Sequence, residues 1–520
     1  MVSDRSNGDD VSPTPREQTL TPDQAFAAVR EPEQRGDTAA AEAIYRKILE
    51  GTPEHADSLH ALAVIEFERG LQAEGLARLR RAIAQEPLSE NFQINFGIML
   101  QRMGRFREAE EAHLRAIHLA PENPECHFNL GLALQQQERW SKAEAAYKRA
   151  IELAPNWGRS SRWTFHAVFN LGTVLQKLNR LGEAESAYRR AIDLAPENPK
   201  CHFKLGIVSK NLTKLDAAIQ AFDRVLALEP ENASAHTQRG ITLHMQGRLE
   251  EAEAAFLRAL ELDPNAFEAR CSLSMVHKFV PGDPQIEALK AQLARTDIAD
   301  AWRCRFMVAL GNAYHAIGRY DDAFAEFRRA NDMIAQRTPF DLEKRRATVE
   351  TIKRGFATAI SAPNGSRASE DIVPVFVVGM SRSGKTLVEG LLGGRLEVCT
   401  MGEWLGLRRA IVAVCARHGT SAPYPDCVDE LNDAMFEEIG QSYLEDLAVN
   451  FPECRYFVAT WPGYYRHVGL IFRAFTAPRL IYCHRDPMDN CFLVYSHVYT
   501  RGQWYNYDLE TLGQHYALYR

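Results

Sequence analysis

The sequence has no long hydrophobic run and no excess of positive charge. Its 520 residues contain 61 Lys and Arg against 68 Asp and Glu, a formal net charge of −7, so the overall charge does not favour a nucleic-acid partner. The longest apolar run, residues 372–380, is far shorter than the roughly 20 residues that span a bilayer. Residues 1–20 lack the apolar core of a secretory signal. We therefore expect a cytoplasmic protein without a membrane span.

A 34-residue repeat occupies the N-terminal half of the chain. Prolines recur every 34 residues, with one longer spacing of 41, at Pro53, Pro87, Pro121, Pro155, Pro196, Pro230 and Pro264. A glycine, an alanine and an aromatic residue recur in register with them, which predicts helix hairpins. The glycine allows two helices to approach closely, the aromatic ring fills the gap to the next hairpin, and proline ends the second helix. The period closely resembles the tetratricopeptide repeat.

One amide position of the repeat is a candidate partner-binding element. The residue before the glycine-containing pair is Asn95, Asn129 or Asn170 in three successive units. Amides at a fixed place in a concave groove bond a peptide backbone without reading its side chains, so we expect the groove to bind an extended polypeptide. An inter-helix hydrogen bond or simple solvation is the alternative.

The ten cysteines are scattered, and the chain has no CxxC motif. This distribution is more typical of reduced thiols than of a disulfide framework. Cys126-His127 and Cys201-His202 resemble paired metal ligands, but both pairs occupy the same position of the repeat. Because helix packing explains them, we expect no metal site.

The predicted fold is an α-solenoid of helix hairpins followed by an α/β P-loop-type domain with a parallel sheet. The β-branched run Val373–Val378 predicts a strand, and a glycine-containing turn and an apolar helix follow it at once. The expected segments are a disordered tail at 1–21, a repeat array at 22–284, a helical region with a last repeat-like hairpin at 285–360, a linker at 361–371 and the α/β domain at 372–520.

The turn after this strand, Gly379–Thr386, carries the chemistry. It reads GMSRSGKT and would place backbone N–H groups, two cations and two hydroxyls at a helix N-terminus, where phosphate or sulfate is the natural ligand. The alternative is a glycine turn with incidental basic residues. Taken literally, the turn matches the ATP or GTP P-loop, G-x-x-x-x-G-K-[ST], which predicts an ATPase or kinase.

The wider segment VPVFVVGMSRSGKTLVEGLLGGRLEVCTMGEW resembles a different group, the bacterial tetratricopeptide-repeat sulfotransferases. Gly402-Glu403 looks like that family's Gly-Glu pair, and Pro462-Gly463 looks like the end of its Lys-Met-Pro-Gly segment. The segment from Arg485 to Asp489, RDPMD, looks like its Arg-Asp-Pro-Leu-Asp. With the repeats, the resemblance covers the chain from residue 22 onward.

The resemblance implies transfer of a sulfuryl group from PAPS (3′-phosphoadenosine 5′-phosphosulfate) to a protein, phenol or carbohydrate hydroxyl, without a metal. Glu403 would be the general base and Arg382 would neutralise the phosphosulfate. From residue chemistry alone, the favoured alternative is that Glu403 is the solvated start of a helix. The implied nucleotide-binding residues are Arg382, Ser383, Gly384, Lys385, Thr386 and, at the 3′-phosphate, Arg485.

The sequence departs from the family in four respects, and three of them, the lost lysine, Leu493 and the early end of the chain, favour an alternative, a non-catalytic repeat scaffold with a decayed enzyme domain. Ser381 and Lys385 replace the loop's proline and first threonine, Thr460 replaces the lysine of Lys-Met-Pro-Gly, and Leu493 replaces the serine that accompanies the 3′-phosphate arginine. The chain also ends at Arg520, where relatives continue. We therefore expect either an incomplete sheet or a truncated product, with Lys385 as a partial substitute for the missing cation.

Overall fold

The computed structural model describes residues 26, 29, 35, 37–154, 160–357, 372–395, 397–450, 454–476, 478–499 and 504–520. The predicted tail at 1–21 and the linker at 361–371 lie outside these residues. The chain divides into two compact units, Met1–Ala266 and Phe267–Arg520. Among the described residues, no helix is long and apolar enough to cross a bilayer.

The first unit is a series of helix hairpins, which confirms the predicted α-solenoid. Its helices are α1 (Thr38–Gly51), α2 (Ala56–Glu68), α3 (Gln72–Gln85), α4 (Glu90–Arg102), α5 (Phe106–Leu119), α6 (Pro124–Gln136), α7 (Trp140–Leu153), α8 (Ser160–Lys177), α9 (Leu181–Leu194), α10 (Pro199–Asn211), α11 (Leu215–Leu228), α12 (Ala233–Met245) and α13 (Leu249–Leu262). From α2 onward each even-numbered helix packs against the helix that follows it. Asn123 and Asn198 cap α6 and α10, each with proline at the first helical position, so the turn chemistry fixes where these hairpins begin.

The repeated glycines lie where the two helices of a hairpin touch. A Cβ atom on Gly131 would lie 2.6 Å from the Tyr147 ring, and one on Gly172 would lie 2.8 Å from the Tyr188 ring. The sequence predicted that the ring fills the gap to the next hairpin. In the structure the ring packs against the glycine of its own hairpin, and both tyrosines are fully buried.

The second unit begins with helices and ends with a parallel α/β domain. Its first helices are α14 (Phe267–Leu273), α15 (Pro284–Ala294), α16 (Asp300–Ala316), α17 (Tyr320–Ala335) and α18 (Leu342–Phe356). The predicted last hairpin corresponds to α16 and α17, in which Gly311 again lies against Phe327.

A sheet of four parallel strands in the order β2-β3-β1-β4 forms the centre of the α/β domain among the described residues. Its elements are β1 (Val373–Val378), α19 (Lys385–Leu392), β2 (Val398–Thr400), α20 (Gly406–His418), α21 (Asp433–Asn450), β3 (Tyr456–Ala459), α22 (Val468–Ala474), β4 (Arg479–Tyr482), α23 (Pro487–Tyr495) and α24 (Leu509–Tyr519). The strands that follow β1 lie on both sides of it: β2 and β3 lie on one side, and β4 lies on the other. The carboxyl end of β1 is therefore a topological switch point, the place where open α/β sheets bind ligands.

Alternating side chains of β1 bury both faces of the sheet. Phe376 and Val378 belong to a large core on the side of α20, α21 and α22, whereas Val375 and Val377 pack on the side of α19. The last hairpin contributes to a third core, in which Phe327 and Tyr314 pack with Val494, Tyr495 and other residues of α23 and α24. Asn331 on α17 also donates a hydrogen bond to the carbonyl of Tyr495 at 2.8 Å. The last hairpin is thus an integral part of the α/β unit.

Cys399 and Cys454 form a disulfide, so the expectation of reduced thiols is wrong for this pair. The two residues are 55 positions apart in the sequence, but parallel pairing of β2 with β3 brings their segments together. Sequence spacing alone gave no signal of this proximity. The other eight cysteines are free.

A candidate anion site at the carboxyl edge of the sheet

The loop Gly379–Thr386 connects the end of β1 to α19. Gly384 has a φ of +97°, and α19 begins directly after it with no side chain capping its first turn. The N–H groups of that turn and the positive end of the helix dipole are therefore open to an anion. Ser383 lies in the same loop, and its hydroxyl oxygen is buried without a hydrogen-bond partner among the described residues.

Close packing holds the loop in this shape. A Cβ atom on Gly379 would lie 2.6 Å from both the Cys483 carbonyl oxygen and the Ser383 hydroxyl oxygen, so only glycine fits. Asn490 on α23 donates a hydrogen bond to the Ser381 carbonyl at 2.8 Å. The Met380 N–H donates to the Tyr519 hydroxyl on α24 at 3.2 Å. Both terminal helices therefore support the loop, a role that the sequence did not reveal.

Lys385 lies beneath the loop rather than in front of it. Its Nζ atom donates hydrogen bonds to the carbonyls of Gly379 at 3.1 Å and Met380 at 2.7 Å, and the residue is only 6% exposed. Burial lowers the pKa of Lys385 to about 8, while Glu403 and Cys483 oppose that shift. The lysine is therefore near the loop, but its donors are engaged by backbone carbonyls.

Glu403 stands on a turn after β2 that a buried carboxylate holds in place. Glu389 on α19 accepts hydrogen bonds from the Gly402 N–H at 2.6 Å and from the Thr460 hydroxyl at 2.9 Å. The Thr460 N–H in turn donates to the Gly402 carbonyl at 2.9 Å. Burial raises the pKa of Glu403, Lys385 lowers it and Glu389 raises it, so Glu403 lies within electrostatic reach of both. Glu389 lies in the segment that resembles the sulfotransferases, but the sequence analysis did not reveal its structural role.

Arg485 follows β4 at the same edge of the sheet as the loop. The Cys483 N–H donates to the Val378 carbonyl at 2.8 Å, which aligns the ends of β4 and β1. The Arg485 side chain is exposed and lies 3.9 Å from the Asp489 carboxylate. Asp486 accepts hydrogen bonds from the N–H groups of Met488 and Asp489 and so caps α23.

Arg382 is an exposed residue of the loop and contacts the segment after α23. It has a φ of +64°, which is uncommon for a residue with a side chain. Its guanidinium Nη2 atom lies 2.8 Å from His497 Nδ1, on the segment after α23. Burial, followed by the charges of Arg382 and Arg305, lowers the pKa of His497 to about 4. His497 is therefore a neutral acceptor for Arg382, and no sequence pattern pointed to it.

The structure thus brings the loop, Glu403 and Arg485 to one edge of the sheet.

The three candidate amides of the repeat unit lie on helices of the hairpins. Asn95 Nδ2 lies 2.9 Å from His60 Nε2 on the preceding hairpin. Asn129 is 3% exposed, and Asn170 is within hydrogen-bonding reach of the Tyr147 hydroxyl. The contacts of Asn95 and Asn170 correspond to the inter-helix alternative, whereas the Asn129 amide nitrogen is buried without a hydrogen-bond partner among the described residues. A peptide contact by the three amides remains a prediction.

Comparison with known proteins identifies both parts of the chain. The sulfotransferase family model matches residues 374–520. Tetratricopeptide-repeat models match residues 89–156, 123–197, 203–267 and 305–336. The last of these matches falls on the hairpin of α16 and α17.

Individual relatives are distant. An uncharacterised protein of Aquifex aeolicus (strain VF5) is 24% identical over 211 residues, which are 40% of this chain and 28% of the relative. The chain thus matches less than a third of that relative's length. Among solved structures, YrrB, a TPR protein with an unusual peptide-binding site, is 22% identical, with 37% of this chain and 95% of YrrB covered and a TM-score of 0.33. PilF of Pseudomonas aeruginosa is 18% identical, with 42% of this chain and 97% of PilF covered and a TM-score of 0.36.

The match to the sulfotransferase family begins within β1 and includes the loop, Glu403 and Arg485. The repeat matches lie N-terminal to it, in the order that the sequence predicted. The chain therefore combines tetratricopeptide repeats with a C-terminal domain that matches the sulfotransferase family, the domain order of the tetratricopeptide-repeat sulfotransferases.

Proposed function

We propose that the chain transfers a sulfuryl group from PAPS to an acceptor hydroxyl. The observation that carries this proposal is the pair of anion-binding positions at one edge of the sheet. The uncapped N-terminus of α19 with the unpartnered Ser383 hydroxyl suits the 5′-phosphosulfate. Arg485, at the end of the neighbouring strand β4, supplies a second cation for the 3′-phosphate.

In the proposed reaction Glu403 is the general base. The acceptor oxygen forms a bond to sulfur while the bond between sulfur and the bridging oxygen of PAPS breaks, and Glu403 takes the proton of the hydroxyl. The products are a sulfate ester and 3′,5′-adenosine bisphosphate. Burial raises the pKa of Glu403, which brings the carboxylate nearer to the basicity that a general base requires. Arg382, Lys385 and the loop N–H groups offset negative charge on the leaving phosphate, as positioning and charge neutralisation dominate such transfers.

The repeat unit is proposed to bind a polypeptide, either the acceptor itself or a partner that recruits it. Stacked hairpins form an extended surface that presents the first helix of each repeat, which is the general mode of recognition by such arrays. The three amides at Asn95, Asn129 and Asn170 are the proposed contacts, and Asn95 would have to exchange His60 for the peptide.

A non-catalytic scaffold is the second candidate function, and one contact favours it. Thr460 occupies the position of the family's lysine and donates its hydroxyl hydrogen to Glu389, so this position offers no cation to the transition state. Lys385 is the nearest replacement, but its Nζ atom is bonded to carbonyls of the loop.

Calorimetry of the full chain tests the nucleotide assignment. The chain should bind 3′,5′-adenosine bisphosphate more tightly than ATP·Mg²⁺, and Arg485→Ala should weaken the bisphosphate far more than ATP. Arg479→Ala is the matched control, because Arg479 is also exposed but begins β4 at the opposite edge of the sheet. Equal losses for the two nucleotides, or tighter binding of ATP·Mg²⁺, would contradict the assignment and favour an ATP-binding P-loop.

A further inference from the structure

A cavity of about 480 Å³ lies beside the loop, between the last repeat hairpin and the segment after α23. Arg305 and Asn312 on α16 line it from one side, and Arg382 of the loop lines it from another. Leu493 and Tyr499 complete the wall from the α/β domain. All these residues belong to the second unit, so the cavity is part of one compact body.

The polar end of the cavity is positively charged. None of the described residues that line it is acidic, whereas two arginines do so. The Arg305 guanidinium lies 4.7 Å from the centre of the Trp302 ring, which restrains it by a cation–π contact. Arg382 is bonded to His497, which is neutral because burial and both arginines lower its pKa to about 4. Two cations without a carboxylate among the lining residues favour an anionic ligand.

The remainder of the lining has apolar walls beside the small polar side chains of Ser272, Ser274, Asn312 and Ser496. Met275, Val308, Ala309 and Leu493 form these walls. A phosphate next to Leu493 would face a hydrocarbon surface, which is unfavourable for a doubly charged group. A compound with an apolar body and a single anionic group at one end matches both parts of the cavity.

Tyr499 links the cavity to the reacting groups. Its hydroxyl is buried, and the side chains of Ser381 and Arg382 are within hydrogen-bonding reach of it. Burial raises the pKa of Tyr499, the charge of Arg382 lowers it, and Glu403 raises it, so the ring lies within electrostatic reach of both. A ligand in the cavity would therefore contact Arg382 and a tyrosine that lies within electrostatic reach of the proposed base.

We propose that this cavity is the acceptor site, and that it binds a small hydroxyl compound carrying an anionic group, which Arg305 of the last repeat hairpin recognises. The proposal rests on the sulfuryl transfer proposed above and specifies its acceptor class. It also gives the last hairpin a role in substrate selection in addition to packing against the α/β domain.

The first test is calorimetry with two matched ligands, 4-hydroxybenzoate and 4-hydroxybenzamide, each in the presence of saturating 3′,5′-adenosine bisphosphate. The benzoate should bind at least about tenfold more tightly, a typical value for a desolvated charge-assisted hydrogen bond. Arg305→Gln should remove most of this preference, and Arg305→Lys, which keeps the charge, should retain part of it. Equal binding of the two ligands by the wild type would overturn the proposal.

Arg408→Gln is the control. Arg408 is exposed and lines a second cavity of about 600 Å³ next to α20. The Arg408→Gln variant should keep the wild-type preference for the benzoate. If Arg408→Gln lost this preference and Arg305→Gln kept it, the acceptor would bind in the second cavity and the proposal would be overturned. If the bisphosphate displaced the benzoate, the cavity lined by Arg305 would belong to the nucleotide, which would also overturn the proposal.

Transfer assays separate this proposal from the proposed function. With labelled PAPS, Arg305→Gln should raise KM for the benzoate and leave KM for the benzamide unchanged, without affecting nucleotide affinity. Transfer to both acceptors with an unchanged preference in Arg305→Gln would overturn the acceptor assignment but preserve the sulfotransferase. Arg305-dependent binding of the benzoate without any transfer would refute the proposed function, while the anion selectivity of the cavity would stand.

Discussion

Thr460 donates a hydrogen bond to Glu389 at 2.9 Å, and both side chains are buried. The same carboxylate accepts the Gly402 N–H at 2.6 Å, one residue before Glu403. A threonine at the position of the family's lysine therefore joins a hydrogen-bond network that fixes the turn carrying the proposed base. We infer that Glu389 is a positioning residue, acting on the reaction only through Glu403.

Glu389→Gln tests this role. The amide keeps the shape but can offer only one acceptor oxygen, so one of the two buried donors loses its partner. The free energy of unfolding should fall by about 1–3 kcal/mol. Turnover should fall by up to about 100-fold because the base is misplaced, while the Kd for 3′,5′-adenosine bisphosphate stays near the wild-type value. Urea unfolding, sulfate transfer from labelled PAPS and calorimetry measure the three quantities separately.

Glu510→Gln is the matched control for that prediction. Glu510 is an exposed carboxylate in the first turn of α24 that accepts a hydrogen bond from the Gln514 side chain on the same helix. The substitution should change the free energy of unfolding by less than about 0.5 kcal/mol. Equal effects of the two substitutions would show that the Glu389 network does not support the turn.

Two glycines of the repeat unit should respond to alanine in opposite directions. Gly131→Ala brings a methyl group to 2.6 Å from the buried Tyr147 ring, so overpacking should lower the free energy of unfolding by about 1–3 kcal/mol. Gly182→Ala in α9 meets nothing within 4 Å and should raise stability by about 0.5–1 kcal/mol through helix propensity. Thermal unfolding of the full chain checks both. A neutral Gly131→Ala would contradict the close approach of α6 and α7.

Nucleotide affinity should decrease as the pH rises above about 8. Burial lowers the pKa of Lys385 to about 8, so the free chain loses this positive charge above that pH, and a bound phosphate would have to restore the proton. The Kd for 3′,5′-adenosine bisphosphate should rise by at most about tenfold per pH unit. Lys385→Gln should bind more weakly below pH 8 and show a flatter profile. An unchanged slope in this variant would show that another group is responsible.

Much of the fold could be predicted from the sequence because its signals are local. The 34-residue period fixes the hairpins, and the β-branched run before a glycine turn fixes β1 and the loop at its end. The disulfide between Cys399 and Cys454 could not be predicted in this way, since it depends on which strands become neighbours.

The candidate site could be predicted only in part, because some of its residues come together only through the packing of distant segments. The loop, Glu403 and Arg485 lie at motif positions and at the ends of neighbouring strands. His497, Tyr499 and Arg305 carry no motif, and they meet Arg382 only because α16 packs beside the segment after α23. The orientation of Lys385 also depends on burial beneath the loop, which its position in the motif does not specify.

The amide positions of the repeats should matter for partner binding. The triple Asn→Ala variant at positions 95, 129 and 170 should capture fewer polypeptides than the wild type does from the same lysate. His60→Ala is the control, because it removes the inter-helix partner of Asn95 and leaves all three amides in place. Each variant should lose about 1 kcal/mol or more of stability, but only the triple variant should lose capture. Unchanged capture by the triple variant would leave the amides with a structural role alone.

The central claim is tested most directly by the rate of sulfate transfer from labelled PAPS in the wild type and in Glu403→Gln. We expect measurable transfer by the wild type and a loss of about 10²–10⁴-fold in the variant, because the amide keeps the shape of the side chain but cannot accept the proton. The Kd for 3′,5′-adenosine bisphosphate should be nearly the same in both proteins. Transfer by Glu403→Gln at the wild-type rate would contradict the role of Glu403, and bisphosphate binding without any transfer by the wild type would identify the chain as a scaffold.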